Sequence, residues 1–133
     1  MHDIKHKCGV FGIFGIEEAA VLTTLGLHSL QHRGQEGAGI VSYDGQDFHS
    51  VKKEGLVGEN FNSAETLSKL PGRNAIGHVR YSTTGDSKLE NLQPLFANLA
   101  SGGFACAHNG NLTNTISIRN QLVKDGSIFQ TTS

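Results

Sequence analysis

Tryptophan is absent from this chain, methionine occurs once, and proline and cysteine occur twice each. Two cysteines, Cys8 and Cys106, allow a single bridge. Nothing in the chain directs it out of the cytosol, so reduced thiols are expected. No apolar run approaches the roughly 20 residues that cross a bilayer. The opening MHDIKHK is too short and polar for a secretory signal, and Gly and Glu interrupt the next residues before an apolar core region can form. Cytoplasm is therefore the expected compartment, with no membrane partner. Neither sign of charge dominates: 11 Lys and Arg against 12 Asp and Glu give a net charge of −1. That balance, with no block of five or more like charges, argues against nucleic acid as a partner.

Several chemistries are missing as well. There is no C-x-x-C, no H-E-x-x-H and no carboxylate cluster beside the histidines, so the His28/His32 pair is not read as a metal site and none is expected. GVFGIFG lacks the Lys-Ser/Thr of a phosphate loop and the spacing of a dinucleotide turn. No G-x-S-x-G marks a serine hydrolase.

What is present is 133 residues, enough for one domain with a real core, and 17 glycines that punctuate apolar segments. CGVFGIFG (8–15) reads as a strand buried on both faces through Val10, Phe11, Ile13 and Phe14. EEAAVLTTLGLHSLQHRG comes next with helix chemistry: acids at its start, Val21, Leu22, Leu25, Leu27 and Leu30 along it, and a stop at Gly34. Strands over 38–43 and 47–53 flank Asp44-Gly45, a strong hairpin signal. Ser63 is placed to cap a short helix that Pro71 ends. Residues 74–85 read as a strand running into a Ser/Thr/Gly loop, a long loop succeeds it, and 101–114 read as a buried strand ending at Asn-Gly, with Cys106 packed inside. A last helix runs from Thr113 or Asn114 to Gly126. Helices interspersed with hairpins favour α+β with mainly antiparallel sheets.

Three polar clusters stand at strand ends: Cys8, Arg80 in HVRYSTTG, and Asn109-Gly110 in AHNGNL. A thiolate attacks a carbonyl carbon. An arginine fork suits a carboxylate. An amide and a backbone N–H can hold an oxyanion. Each also has a plain reading, as core filler, surface residue and turn, and a base for the thiol is missing.

CGVFGI, LHSLQHRGQEGAGI, GHVRYSTTG, NLQPL and AHNGNLTN, in that order, closely resemble the glutaminase domain of the amidophosphoribosyltransferase family, whose glutaminase half is an N-terminal-nucleophile hydrolase. The resemblance implies a four-layer αββα sandwich, here incomplete over 8–133, preceded by a propeptide of residues 1–7. It implies Cys8 as the nucleophile, its freed α-amino group as the base, and Asn109 and Gly110 as the oxyanion hole. It implies glutamine bound by Arg80, Ser82 and Thr83, with Arg33 and Gln35 shaping the floor of the site. Glutamine would yield glutamate and ammonia without a cofactor. The ammonia would meet phosphoribosyl pyrophosphate in a transferase domain that uses Mg²⁺ and is absent here, within a homo-oligomeric parent protein of purine synthesis. Because that half and an acidic residue after TTS lie outside the sequence, weak or no activity is expected of this chain alone. The alternatives are a glucosamine-6-phosphate-synthase-like amidotransferase, which HRGQEGAG and HVRYSTTG disfavour, and a non-catalytic interaction module.

Overall fold

A computed structural model describes residues 8–81 and 89–132. The expected propeptide and the Ser82-Thr83 stretch lie outside those residues. Four strands, β1 (Gly9–Ile13), β2 (Gly37–Tyr43), β3 (Phe48–Glu54) and β4 (Asn74–Arg80), form an antiparallel sheet in the order β1-β4-β2-β3. β5 (Leu95–Leu99) and β6 (Gly102–Cys106) form a separate antiparallel ribbon. The helices are α1 (Ala19–Ser29), the single turns α2 (Val57–Asn60) and α3 (Ala64–Ser68), and α4 (Thr115–Lys124).

The period of two along β2 and β4 sorts residues between the two faces of the sheet. Ala38, Ile40, Ala75 and Val79 join Leu27, Ala19 and Ala20 of α1 in the core. A side chain at Gly77 would meet Leu27 and Thr23 of α1 at 2.7 Å, so the helix lies close on the sheet. The buried stripe of α1 is Ala19, Ala20, Thr23 and Leu27, one helical face of mostly small residues. Leu25, read as part of the apolar stripe, is exposed. The opposite face of the sheet receives the ribbon, where the Phe48 and Phe96 rings lie 5.5 Å apart. An open apolar cavity of about 320 Å³, lined by Val41, Tyr43, Phe48, Ile76 and Ala105 among others, remains there.

The hairpin forms around Asp44-Gly45, where the Asp44 carboxylate accepts from the backbone N–H groups of Gln46 and Asp47 at 2.8 Å. Ser63 caps α3 by accepting from the Thr66 N–H at 3.1 Å. Four expectations need correction. β1 is an edge strand, not a strand buried on both faces: Val10 is exposed and Phe14 lies 88 % open beyond its end. β6 is exposed rather than buried, since among the described residues nothing beyond β5 pairs with it. Cys106 accordingly is an exposed free thiol. The long loop contains a 3-10 turn (Leu89–Asn91) and β5. Its proline and short apolar run hid a strand that lies at a sheet margin.

Candidate active site

The antiparallel register brings chain segments far apart in sequence to one end of the sheet. Gly9 pairs with Val79, and Gly37 with Arg80, so the start of β1, the end of β4 and the turn before β2 converge. Gly34 makes this possible: a β-carbon there would stand 2.7 Å from the Arg80 carbonyl carbon. The cavity between the sheets lies at the other end, by Tyr43 and Asn74, away from this convergence.

Cys8 is held on both sides of its own backbone. Its N–H donates to the Arg33 carbonyl at 2.8 Å, and Arg33 Nε donates back to the Cys8 carbonyl at 2.7 Å. The residue takes a φ of 66°, a left-handed conformation uncommon for a side chain other than glycine or asparagine. Holding it there costs about 1–3 kcal/mol, which the reciprocal pair with Arg33 offsets. Its sulfur accepts from the Tyr81 N–H at 3.3 Å and lies 3.6 Å from the Tyr81 carbonyl. Arg33, expected only as floor, is therefore the residue that fixes Cys8. Gln35 is exposed.

The turn after β6 reaches the same place. Asn109 Nδ2 donates to the Cys8 carbonyl at 3.2 Å across 101 positions of sequence. Gly110 is next, with a φ of 145°, open to glycine and strained for other residues. Arg80 points its Nη1 at the Asn91 carbonyl, 3.0 Å away, while its buried Nε has no partner among the described residues. Asn91 in turn pairs with Thr132, donating from Nδ2 to its hydroxyl at 2.8 Å and accepting from its N–H at 3.1 Å. Of the expected site residues, Cys8 and Asn109 are in contact, Gly110 adjoins them, and Arg80 ends the strand beside Tyr81. Ser82 and Thr83 lie outside the described residues.

Sequence reasoning gave no role to His78, Asn91 and Gln93. All three are no more than 4 % exposed. NLQPL and GHVRY carried the signal, polar residues inside otherwise apolar strings, but a single residue type in a strand does not announce its partner. Burial drives the His78 pKa down to about 4 from 6.5, against a hydrogen bond to the His108 carbonyl that pulls it up. Among the described residues no group of three or more His, Cys, Asp or Glu is placed to hold a metal ion.

Comparison with known proteins gives the family. Residues 12–127 match the family described as glutamine amidotransferases class-II. The chain belongs to that family. It is 55 % identical to the amidophosphoribosyltransferase of Rhizobium etli over 130 residues, and equally so to that of Bacillus subtilis over 131. These alignments take in 98 % of this chain and 26–27 % of those proteins. The chain thus spans about a quarter of their length. The amidophosphoribosyltransferase of Lacticaseibacillus casei is 52 % identical, with 67 % of its length covered. Among solved structures, one described as the allosteric regulatory enzyme of purine biosynthesis superimposes with a TM-score of 0.86 at 55 % identity, over 92 % of this chain and 26 % of that one. The B. subtilis glutamine phosphoribosylpyrophosphate amidotransferase, complexed with ADP and GMP, gives 0.84 at 53 % identity, over 93 % and 26 %. The family's fold is α+β with antiparallel sheets in an αββα sandwich, represented here by α1, the four-stranded sheet and the ribbon, with the sheets left open and no residue of α4 buried. No helix of the described residues is long and apolar enough to cross a membrane.

Proposed function

We propose that this chain is the glutamine-hydrolysing part of an amidophosphoribosyltransferase, with Cys8 as its nucleophile. The observation that carries this reading is the meeting of Cys8 with Asn109 and the Tyr81 N–H at one end of the sheet. The Cys8 α-amino group takes the thiol proton, and the sulfur adds to the side-chain amide carbon of glutamine. The carbonyl oxygen becomes an oxyanion, held by Asn109 Nδ2 and the Gly110 N–H. The C–N bond breaks, ammonia leaves with a proton from the Cys8 α-amino group, and a γ-glutamyl thioester remains. Water, giving a proton back to that amine, adds to the thioester and releases glutamate and the thiol.

This scheme requires residues 1–7 to be removed. While they remain, the Cys8 nitrogen is an amide and has no basic lone pair; once free, its pKa near ~8 leaves a useful neutral fraction. The nitrogen already donates to the Arg33 carbonyl, which would orient the amine. Arg80 takes the substrate α-carboxylate with its guanidinium fork, and Ser82 and Thr83 assist. The names of the relatives support ammonia transfer to phosphoribosyl pyrophosphate as the parent activity, in a partner domain whose Mg²⁺ would serve the pyrophosphate.

The test is an intact mass of the purified chain before and after diazo-oxo-norleucine, a glutamine analogue. The diazo carbon takes a proton, the Cys8 sulfur displaces N₂ from it, and a thioether forms. A chain beginning at Cys8 that gains one adduct, absent in Cys8→Ala, is expected. A folded chain that starts at Cys8 and gains no adduct would overturn the reading.

A further inference from the structure

The backbone of His108, immediately before Asn109-Gly110, is gripped on both sides of its Cα by buried side chains. Its N–H donates to Gln93 Oε1 at 2.7 Å, and its carbonyl is 3.1 Å from His78 Nε2. His78 is 1 % exposed and Gln93 4 %. The carbonyl can only accept, so Nε2 carries the proton and His78 Nδ1, which has no partner among the described residues, is the bare nitrogen. A neutral ring is the form that burial favours.

Both grips are tied to the four-stranded sheet. His78 lies within β4, two residues before Arg80. Gln93, in the bend before β5, packs its backbone against Gly39 of β2, where a β-carbon would collide with the Gln93 carbonyl. The same sheet that carries Cys8 and Arg80 thus also holds the turn belonging to the ribbon. The two hydrogen bonds hold the peptide planes on either side of the His108 Cα, and the second of these planes carries the Asn109 N–H, so Asn109 and Gly110 start from a fixed orientation.

We infer that His78 and Gln93 are positioning residues, which clamp the two peptide units flanking His108 and thereby set Asn109 Nδ2 and the Gly110 N–H against Cys8. This role rests on the glutaminase reading and adds the device that aligns its oxyanion hole. Neither residue touches the reacting atoms. Their effect passes through the His108 backbone.

Two measurements on the full chain test it. In the first, amide exchange of His108 is monitored by NMR in wild type, Gln93→Met and Gln93→Glu. Methionine fills the space without an acceptor, and protection should fall about tenfold, while glutamate keeps a carboxyl oxygen at the same reach and should restore it. Equal protection in all three overturns the clamp. In the second, adduct formation with diazo-oxo-norleucine is compared with alkylation by iodoacetamide, which needs no oxyanion hole. Gln93→Met and His78→Leu should slow the analogue about tenfold with iodoacetamide rates unchanged, and His78→Gln, which keeps a donor, should recover most of the loss. Should His78→Leu fail to fold, Gln93→Met alone decides. Analogue rates equal to wild type in folded variants overturn the positioning role. A wild-type chain starting at Cys8 that never reacts with the analogue overturns the glutaminase reading instead, while the exchange result still decides the clamp.

Discussion

Acidifying the protein through the range where His78 takes up its proton is expected to weaken the fold by a calculable amount. The ring is buried in the middle of β4 and its pKa is driven down to about 4, against 6.5 for an unhindered histidine. An unfolded chain therefore binds a proton near pH 6.5 that the folded chain refuses until about pH 4. Its contribution to stability is intact above pH 6.5 and is lost as the pH falls through that interval. The loss is about 2 kcal/mol at pH 5 and about 3 kcal/mol at pH 4. Urea unfolding with a slope of about 2 kcal/mol per molar should show the midpoint falling about 1 M between pH 7 and pH 5 from this group. His78→Gln keeps the donor and does not titrate, so its midpoint should fall by that much less. Asp44 does not confuse the comparison. The Asp47 backbone N–H, then His49, hold its carboxyl down to about 2, so its share is lost only below about 3.8. Parallel midpoint curves for the two proteins, or a His78 imidazole signal titrating near pH 6.5, would refute the reasoning.

Other outcomes are expected from the same contacts. Gly39→Ala drives a β-carbon into the Gln93 carbonyl, a backbone atom with little room to retreat, and should cost about 1–3 kcal/mol in thermal unfolding. Ser63→Ala removes the acceptor of the Thr66 N–H and should cost about 1 kcal/mol, with the rate of adduct formation at Cys8 unchanged. Arg80→Lys keeps the charge but loses the fork. It should raise the diazo-oxo-norleucine concentration needed for half-maximal labelling about tenfold, with the saturated rate nearly preserved; an unchanged half-point would remove Arg80 from carboxylate binding.

The sequence was most legible where local chemistry and tertiary structure agree. Asp44-Gly45 specified the hairpin, Ser63 its short helix, and the glycine-punctuated apolar strings their strands. It was least legible at the margins of the sheets. Val10, Phe14 and Phe104 read as core because apolar strings in a sheet protein usually are, yet they stand exposed where no described element covers them. β5 was missed because a ribbon strand with proline before it and Asn98 within it has the composition of a loop. In the site, the residues with reactive groups were visible: Cys8, Arg80, Asn109 and Gly110. Of those that act by holding backbone, Arg33 was placed only in the floor of the site, and His78, Asn91 and Gln93 were given no role. A hydrogen bond between positions 15 to 41 apart depends on the register of the sheet and the path of the ribbon, which no local pattern encodes.

The division of the site between the sheet and the two-stranded ribbon gives it a failure mode separate from unfolding. The sulfur travels with the sheet, whose core is sealed by α1, whereas Asn109 and Gly110 travel with β5 and β6, a pair with little buried surface of its own. Lifting the ribbon would expose few apolar groups and so need far less free energy than melting the sheet. The thiol would then survive as an ordinary reactive cysteine while recognition of a glutamine-shaped electrophile vanished. Loss of selectivity, with the fold still standing, is the first symptom such a molecule would show on warming.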